Sequence, residues 1–106
     1  VYKGRVGENV DLDAAVQAAE LCFINAMAAL STIGLNVDRI TRVVKLSGYV
    51  QCTGDFKQQP RVINGASDLS RRVFGNDGIH ARAALGVHSL PLDAAVEVEV
   101  VFEVGN

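Results

Sequence analysis

From Leu12 onward, apolar residues recur at spacings of three and four: Leu12, Val16, Ala19, Phe23, Ala26 with Met27, Leu30 and Ile33. That pattern is one face of an α-helix. Asp11 stands where an N-cap belongs, Asp13 complements the dipole of the first turn, and Gly34 stands where a helix stops. Residues Ile40 to Gln51 are rich in β-branched side chains and predict a strand. Gly54 and Asp55 then turn the chain, and Pro60 breaks it again. Asn64-Gly65 reads as a turn ahead of a second helix from about Ala66 to Phe74. Gly75 would stop that helix, with Asn76-Asp77-Gly78 as the following loop. Before the first helix, Gly4 and Gly7 suggest a turn or the tail of a strand.

The last third alternates with a period of two. Successive side chains of a strand point to opposite faces. Over His80 to Val87, one side carries Ala81, Ala83, Leu85 and Val87; the other carries His80, Arg82, Ala84 and Gly86, followed by His88. Over Val96 to Val104, one side carries Val96, Val98, Val100, Phe102 and Val104; the other carries Glu97, Glu99, Val101 and Glu103. Pro91 falls in the connection, where a missing N–H does no harm. The order helix, strand, helix, strand, strand predicts an α+β domain, a small sheet covered on one face by two helices. The apolar sides of both late strands would lie under the helices, and Arg82 and Glu97 would point together to the other face. Ala84, Gly86 and Val101 would make that face partly apolar, a reason to expect oligomers.

Length and composition narrow this picture. The 106 residues contain no repeat, linker or low-complexity tract, so residues 1–106 read as one domain. With no tryptophan and only six Phe and Tyr, the core must come from Val, Leu, Ile and Ala. Such a core buries little area per residue, so a partner surface would help. Ten basic residues face twelve acidic ones, and Arg71-Arg72 is the sole adjacent basic pair. A nucleic-acid binder usually shows a basic stripe, so RNA or DNA is not an expected partner. Cys22 and Cys52 lie in no metal or redox spacing and read as reduced thiols of a cytoplasmic protein. No stretch reads as a signal peptide. The first helix, with Asn25 and many alanines, looks too mixed to span a membrane.

Arg82 and Glu97 are the candidates for chemistry. A guanidinium grips a carboxylate through two parallel bonds. A nearby glutamate can accept a proton from water and aim it at an electrophilic carbon. The same two residues are also explained by a structural ion pair on an exposed face. His80 and His88 share the Arg82 side but lack a third ligand, so no metal is expected. They read as surface or interface residues. Tyr49 reads as packing, and Glu99 and Glu103 as solvated or interface charges. Ser67 has no nucleophile elbow around it, and no phosphate or dinucleotide loop occurs. No cofactor is implied.

Four short stretches carry a resemblance: Phe74-Gly75, His80-Ala81-Arg82-Ala83, Leu90-Pro91 and Val96-Glu97-Val98-Glu99. Together they resemble the YjgF/RidA family, also called endoribonuclease L-PSP, which has a chorismate-mutase-like fold. The helix Leu12 to Ile33 and the strand Ile40 to Gln51 fall in that family's order. Val62-Ile63-Asn64-Gly65-Ala66-Ser67-Asp68-Leu69 looks like a less studied branch. The resemblance implies a small mixed sheet and a homotrimer with clefts between subunits. In it, the arginine matching Arg82 binds the substrate carboxylate and the glutamate matching Glu97 positions the attacking water. Backbone near Ala84 lines the same pocket, and Ser67 stands where the well-studied branch has a pocket asparagine. His80 departs from the family's usual proline or alanine. The family begins with two more strands, so this chain would start inside or just after that hairpin.

The resemblance thus implies a hydrolase that deaminates 2-aminoacrylate and related imines to 2-keto acids and ammonia. It would act on a small carboxylate-bearing substrate, without metal or organic cofactor, in the cytoplasm. A different reading keeps the trimer and the carboxylate grip of Arg82 but has no turnover. A third, RNA cleavage, follows from the older family name and is opposed by the acidic balance. The strand pattern leaves open whether Glu97 or Glu99 faces the pocket; family spacing selects Glu97.

Overall fold

A computed structural model describes residues 2–105. Helix α1 spans Leu12–Ala29 and starts as expected: the Asp11 carboxylate accepts from the backbone N–H of Ala14 at 2.8 Å. A 3₁₀ turn over Leu30–Ile33 extends it, and Gly34 ends it with φ 78°, a left-handed conformation that suits glycine. The buried face is Ala15, Ala18, Ala19 and Phe23. Ile33, expected on that face, is exposed; it lies in the 3₁₀ turn, which contributes no buried residue.

Strand β1 runs over Ile40–Gln51, β2 over Ala81–Val87 and β3 over Val96–Val104. The sheet order is β2-β1-β3, with β2 parallel and β3 antiparallel to the central strand. A parallel pair needs a crossover, and helix α2, Gln59–Phe74, supplies it.

The second helix therefore begins seven residues earlier than the sequence pattern suggested. Pro60 opens the helix rather than breaking the chain, since its missing N–H costs nothing in the first turn. Asn64-Gly65 lies mid-helix rather than in a turn. The reason is tertiary: a Cβ on Gly65 would fall 2.2 Å from the carbonyl oxygen of Val16. The glycine lets α1 and α2 touch through their backbones, and that contact outweighs local turn preference.

The core lies between the helix layer and one face of the sheet. Val43, Leu46 and Val50 of β1 meet Val62, Ile63 and Ala66 of α2 and the small face of α1. Phe23 and Phe102 pack edge to face with centroids 6.0 Å apart. Phe23 is fully buried, and Phe102 packs on it from the partly buried margin of a mainly aliphatic core. By length and composition alone, the 22 residues Leu12–Ile33 do qualify as a membrane span, contrary to the sequence expectation. Here the stretch packs against both α2 and strand β3. It seats Ala15, Ala19 and Phe23 on the core, and Glu20 pairs with Arg72 of α2 at 3.2 Å.

Residues 2–10 tie off one end of the sheet. Val6 donates its N–H to Gln51 O at 2.8 Å and accepts from Thr53 N at 3.0 Å. The buried Gln51 amide bonds Gly4 O and Asp93 Oδ1 and accepts from Leu90 N. Gly4 and Gly7 take positive φ there, so the expected turn is present.

Register overturns one inference about faces. Residues directly across a ladder share a face. In β3, Val96, Val98 and Val100 lie across from Val50, Gly48 and Leu46 and so face the helices, as expected. In β2 the assignment reverses: Arg82, Ala84 and Gly86 pair with Leu46, Gly48 and Val50. Arg82 therefore lies on the helix side, and Ala81, Ala83 and Leu85 lie on the open face. Alanines tolerate either environment, so their parity misled. Arg82 instead reaches out from the sheet edge to polar residues of α2.

Candidate active site

Helix α2 and strand β2 build a cleft lined by Asn64, Ser67, Arg71, Ile79, His80 and Arg82, with a volume of about 260 Å³. Asn64, Ser67 and Arg71 stand at helical spacings of three and four, which places them on one stripe of α2. His80 and Arg82, two positions apart, share one side of β2 and its entry. Arg71 reaches the cleft already paired with Asp68 at 2.9 Å.

Arg82 is held but not neutralised. Its Nη1 donates to Asn64 Oδ1 at 2.7 Å and to Ser67 Oγ at 3.3 Å. Among the described residues it has no carboxylate partner. The structural ion pair that sequence alone allowed is therefore not what Arg82 makes among the described residues. Ser67 is buried between helix and strand, with its hydroxyl 3.0 Å from His80 Nε2. Ala84 follows Arg82 on the same face and packs against the core.

Glu97 lies elsewhere in the chain. It sits across from Tyr49 on β3, while Arg82 sits across from Leu46 on β2. Two strand spacings and three residues separate them, about 14 Å, and they occupy opposite faces of the sheet. The expectation that they share a face is thus corrected. Glu97 lines a second cleft, of about 330 Å³, with Cys22, Asn25 and Ala94 at the β3 edge. Among the described residues it makes no ion pair. Its neighbour Glu99 is engaged, accepting from the Tyr49 hydroxyl at 3.1 Å. That bond and the carboxylate's charge raise the Tyr49 phenol above its ordinary value. The Cys22 thiol is also raised, first by burial and then by the charge of Glu97. Removing that charge lowers the thiol's pKa and exposes more thiolate at a given pH. Glu97→Gln should therefore quicken iodoacetamide alkylation of Cys22 at a fixed pH. An unchanged rate would detach Glu97 from this cleft.

His80 and Asn64 were not identified as cleft residues from sequence. His80 looked like a surface residue, and Asn64 was hidden by the turn preference of Asn-Gly. Had the helix been extended back to Gln59, the spacing of Asn64, Ser67 and Arg71 would have exposed the stripe.

Residues 2–104 match the family described as endoribonuclease L-PSP. The chain belongs to this family, the YjgF/RidA family. The resemblance drawn from Arg82, Leu90-Pro91 and Glu97 is thereby borne out, as is the α+β fold with two helices on a three-stranded mixed sheet. The chain is similar to Protein TCP17 of Trypanosoma cruzi, with 39% identity over 104 residues, 97% of this chain and 65% of that protein. It thus spans just under two thirds of that relative. It is also similar to the solved structure of Atu1372 from Agrobacterium tumefaciens, a protein of unknown function: 42% identity and a TM-score of 0.94, over 99% of this chain and 67% of that one. A candidate endoribonuclease from Shewanella oneidensis superposes with a TM-score of 0.91 at 27% identity, over 98% of this chain and 69% of that one.

Proposed function

We infer that this YjgF/RidA-family chain hydrolyses small carboxylate-bearing imines, of the kind formed from 2-aminoacrylate, to 2-keto acids and ammonia. The observation that carries this reading is Arg82. Its Nη1 is fixed by Asn64 and Ser67, while the rest of the guanidinium has no protein partner among the described residues. A pre-oriented, unneutralised fork in a small cleft suits a carboxylate. The 260 Å³ volume suits a molecule of a few heavy atoms better than a polymer. A formal charge of −2 gives RNA no general attraction, despite the family's older name.

The reading includes a homotrimer. Among the described residues both β2 and β3 are edge strands, with the Arg82 cleft at one edge and the Glu97 cleft at the other. A head-to-tail contact that closes into a ring would set one subunit's β2 edge against the next subunit's β3 edge. In this reading the Glu97 cleft of one subunit would border the Arg82 cleft of the next, where Glu97 would position water. Two free thiols suit a reducing, cytoplasmic setting.

The separation of Arg82 and Glu97 within one chain gives specific support to a second reading, a carboxylate-binding protein without turnover. The two divide on one assay. 2-Aminoacrylate is generated in place, and 2-keto acid is followed with and without the protein. Accelerated keto-acid release is expected. Keto-acid binding with no acceleration would favour the second reading. Salt-sensitive RNA cleavage by purified protein, lost on mutating the cleft, would displace both.

A further inference from the structure

The cleft contains a hydrogen-bond chain that carboxylate binding does not require. His80 Nδ1 lies 2.6 Å from Gly78 O. A carbonyl only accepts, so Nδ1 carries the hydrogen, and in the neutral ring Nε2 is bare. The Ser67 hydroxyl, 3.0 Å away, therefore donates to Nε2. Ser67 Oγ in turn accepts from Arg82 Nη1 at 3.3 Å. Donation runs in one direction, from Arg82 to Ser67 to His80 to Gly78.

The last link is built into the backbone. The Gly78 carbonyl also accepts from the fully buried Ser70 hydroxyl at 2.8 Å. A Cβ on Gly78 would fall 2.2 Å from Ser70 O, so only glycine lets the loop lie this close to α2. The carbonyl that sets the His80 tautomer is thus fixed, and the imidazole arrives oriented as a base toward Ser67.

We propose that Ser67 and His80 form the proton relay of this cleft. The proposal rests on the imine-hydrolase reading above. In the first step water adds to the C=N carbon, and the π pair moves to nitrogen. The water gives its proton to Ser67 Oγ while the Ser67 hydroxyl gives its own to His80 Nε2. The imidazolium returns a proton by the same route to nitrogen, leaving a neutral carbinolamine. In the second step the carbinolamine hydroxyl loses its proton along the relay as the C–N bond breaks. The departing nitrogen takes that proton back and leaves as ammonia, and the C=O bond forms. Protons balance, and no oxidant or metal enters. Ser67 touches the reacting water, and His80 is a positioning residue that acts through it. Ser67 is 6% exposed on a mid-helix turn. That placement suits passing a proton better than attacking an electrophile.

The test compares wild type with His80→Gln, Ser67→Ala and the double variant. Glutamine can bridge Ser67 and Gly78 but does not titrate. His80→Gln should lower kcat about thirty- to a hundredfold. KM should stay within about twofold, and the acid limb of the kcat–pH profile should vanish. Ser67→Ala should fall by a similar factor, and the double variant no further, because the two act as one unit. Wild-type kcat and an unaltered pH profile in folded His80→Gln would overturn the relay and leave the hydrolase reading standing. Wild-type protein that yields no keto acid would overturn both. If His80→Gln does not fold, Ser67→Ala decides on the same kcat and KM readout.

Discussion

Arg82→Lys is expected to lower kcat/KM for a carboxylate-bearing imine by about a hundredfold, and Arg82→Ala by about a thousandfold. The guanidinium offers its unbonded edge as two parallel donors. Hydrogen bonds to charged groups contribute about 1.5–3 kcal/mol each, so the pair is worth roughly 3–6 kcal/mol. At about 1.4 kcal/mol per decade, that is two to four powers of ten. Arg82 is exposed, and water screens the pair, so the lower half of the range applies. Lysine keeps the charge but cannot make the parallel fork. Neither change should lower the melting temperature by more than a few degrees, since the described bonds of Arg82 lie at the cleft wall. Steady-state kinetics on the imine and calorimetric titration with the keto acid would check this. Arg82→Ala within about threefold of wild type would remove the basis of the functional reading. A neutral imine without a carboxylate should show the complementary pattern: poor turnover by wild type and little further loss in the variants.

How far the fold was legible depended on how strongly each segment's local pattern agreed with its tertiary setting. The starts and stops of α1 were readable because Asp11 and Gly34 satisfy helix ends by local chemistry alone. The bounds of β1 and β3 were readable because β-branched residues recur through both. The start of α2 was not, because Asn64-Gly65 signals a turn to any local rule, while the glycine is there for contact with Val16. The faces of β2 failed for another reason. Ala81 and Ala83 are apolar but small, so alternation among alanines carries little information about burial. A long arginine at a sheet edge can share the core side while its head stays wet.

The same contrast holds for the candidate site. Arg82 and Ser67 were readable as residues, and the structure brings them into hydrogen-bond contact. Glu97 was readable too, but its relation to Arg82 was not, because sequence parity says nothing about strand order. Strand order puts β1 between them. His80 was discounted for want of metal partners, yet its partners are a hydroxyl and a backbone carbonyl, neither of which leaves a mark in residue spacing.

Gly65→Ala should lower the melting temperature by roughly 10–25 °C, at about 4–8 °C per kcal/mol for a domain of this size. The added methyl would sit 2.2 Å from Val16 O and 3.1 Å from Val16 C, both backbone atoms that no side-chain rotation can move. The helices must part, loosening the packing of Val62, Ile63 and Ala66 against Ala15 and Ala19. Overpacking of this kind costs about 3–5 kcal/mol at the severe end. Alanine recovers about 1 kcal/mol of that through its better helix propensity, which leaves a net loss of about 2–4 kcal/mol. Gly54→Ala is the control: nothing lies within 4 Å of its added Cβ, so its melting point should stay near wild type. Because Asn64 and Ser67 flank Gly65 on α2, the shift should also weaken keto-acid binding below the melting transition. Thermal unfolding followed by circular dichroism, with binding measured on the folded variant, tests both effects. A Gly65→Ala protein that melts within about 3 °C of wild type would show that α1 and α2 are not held at backbone contact. The placement of the Asn64–Ser67 wall would then need another cause.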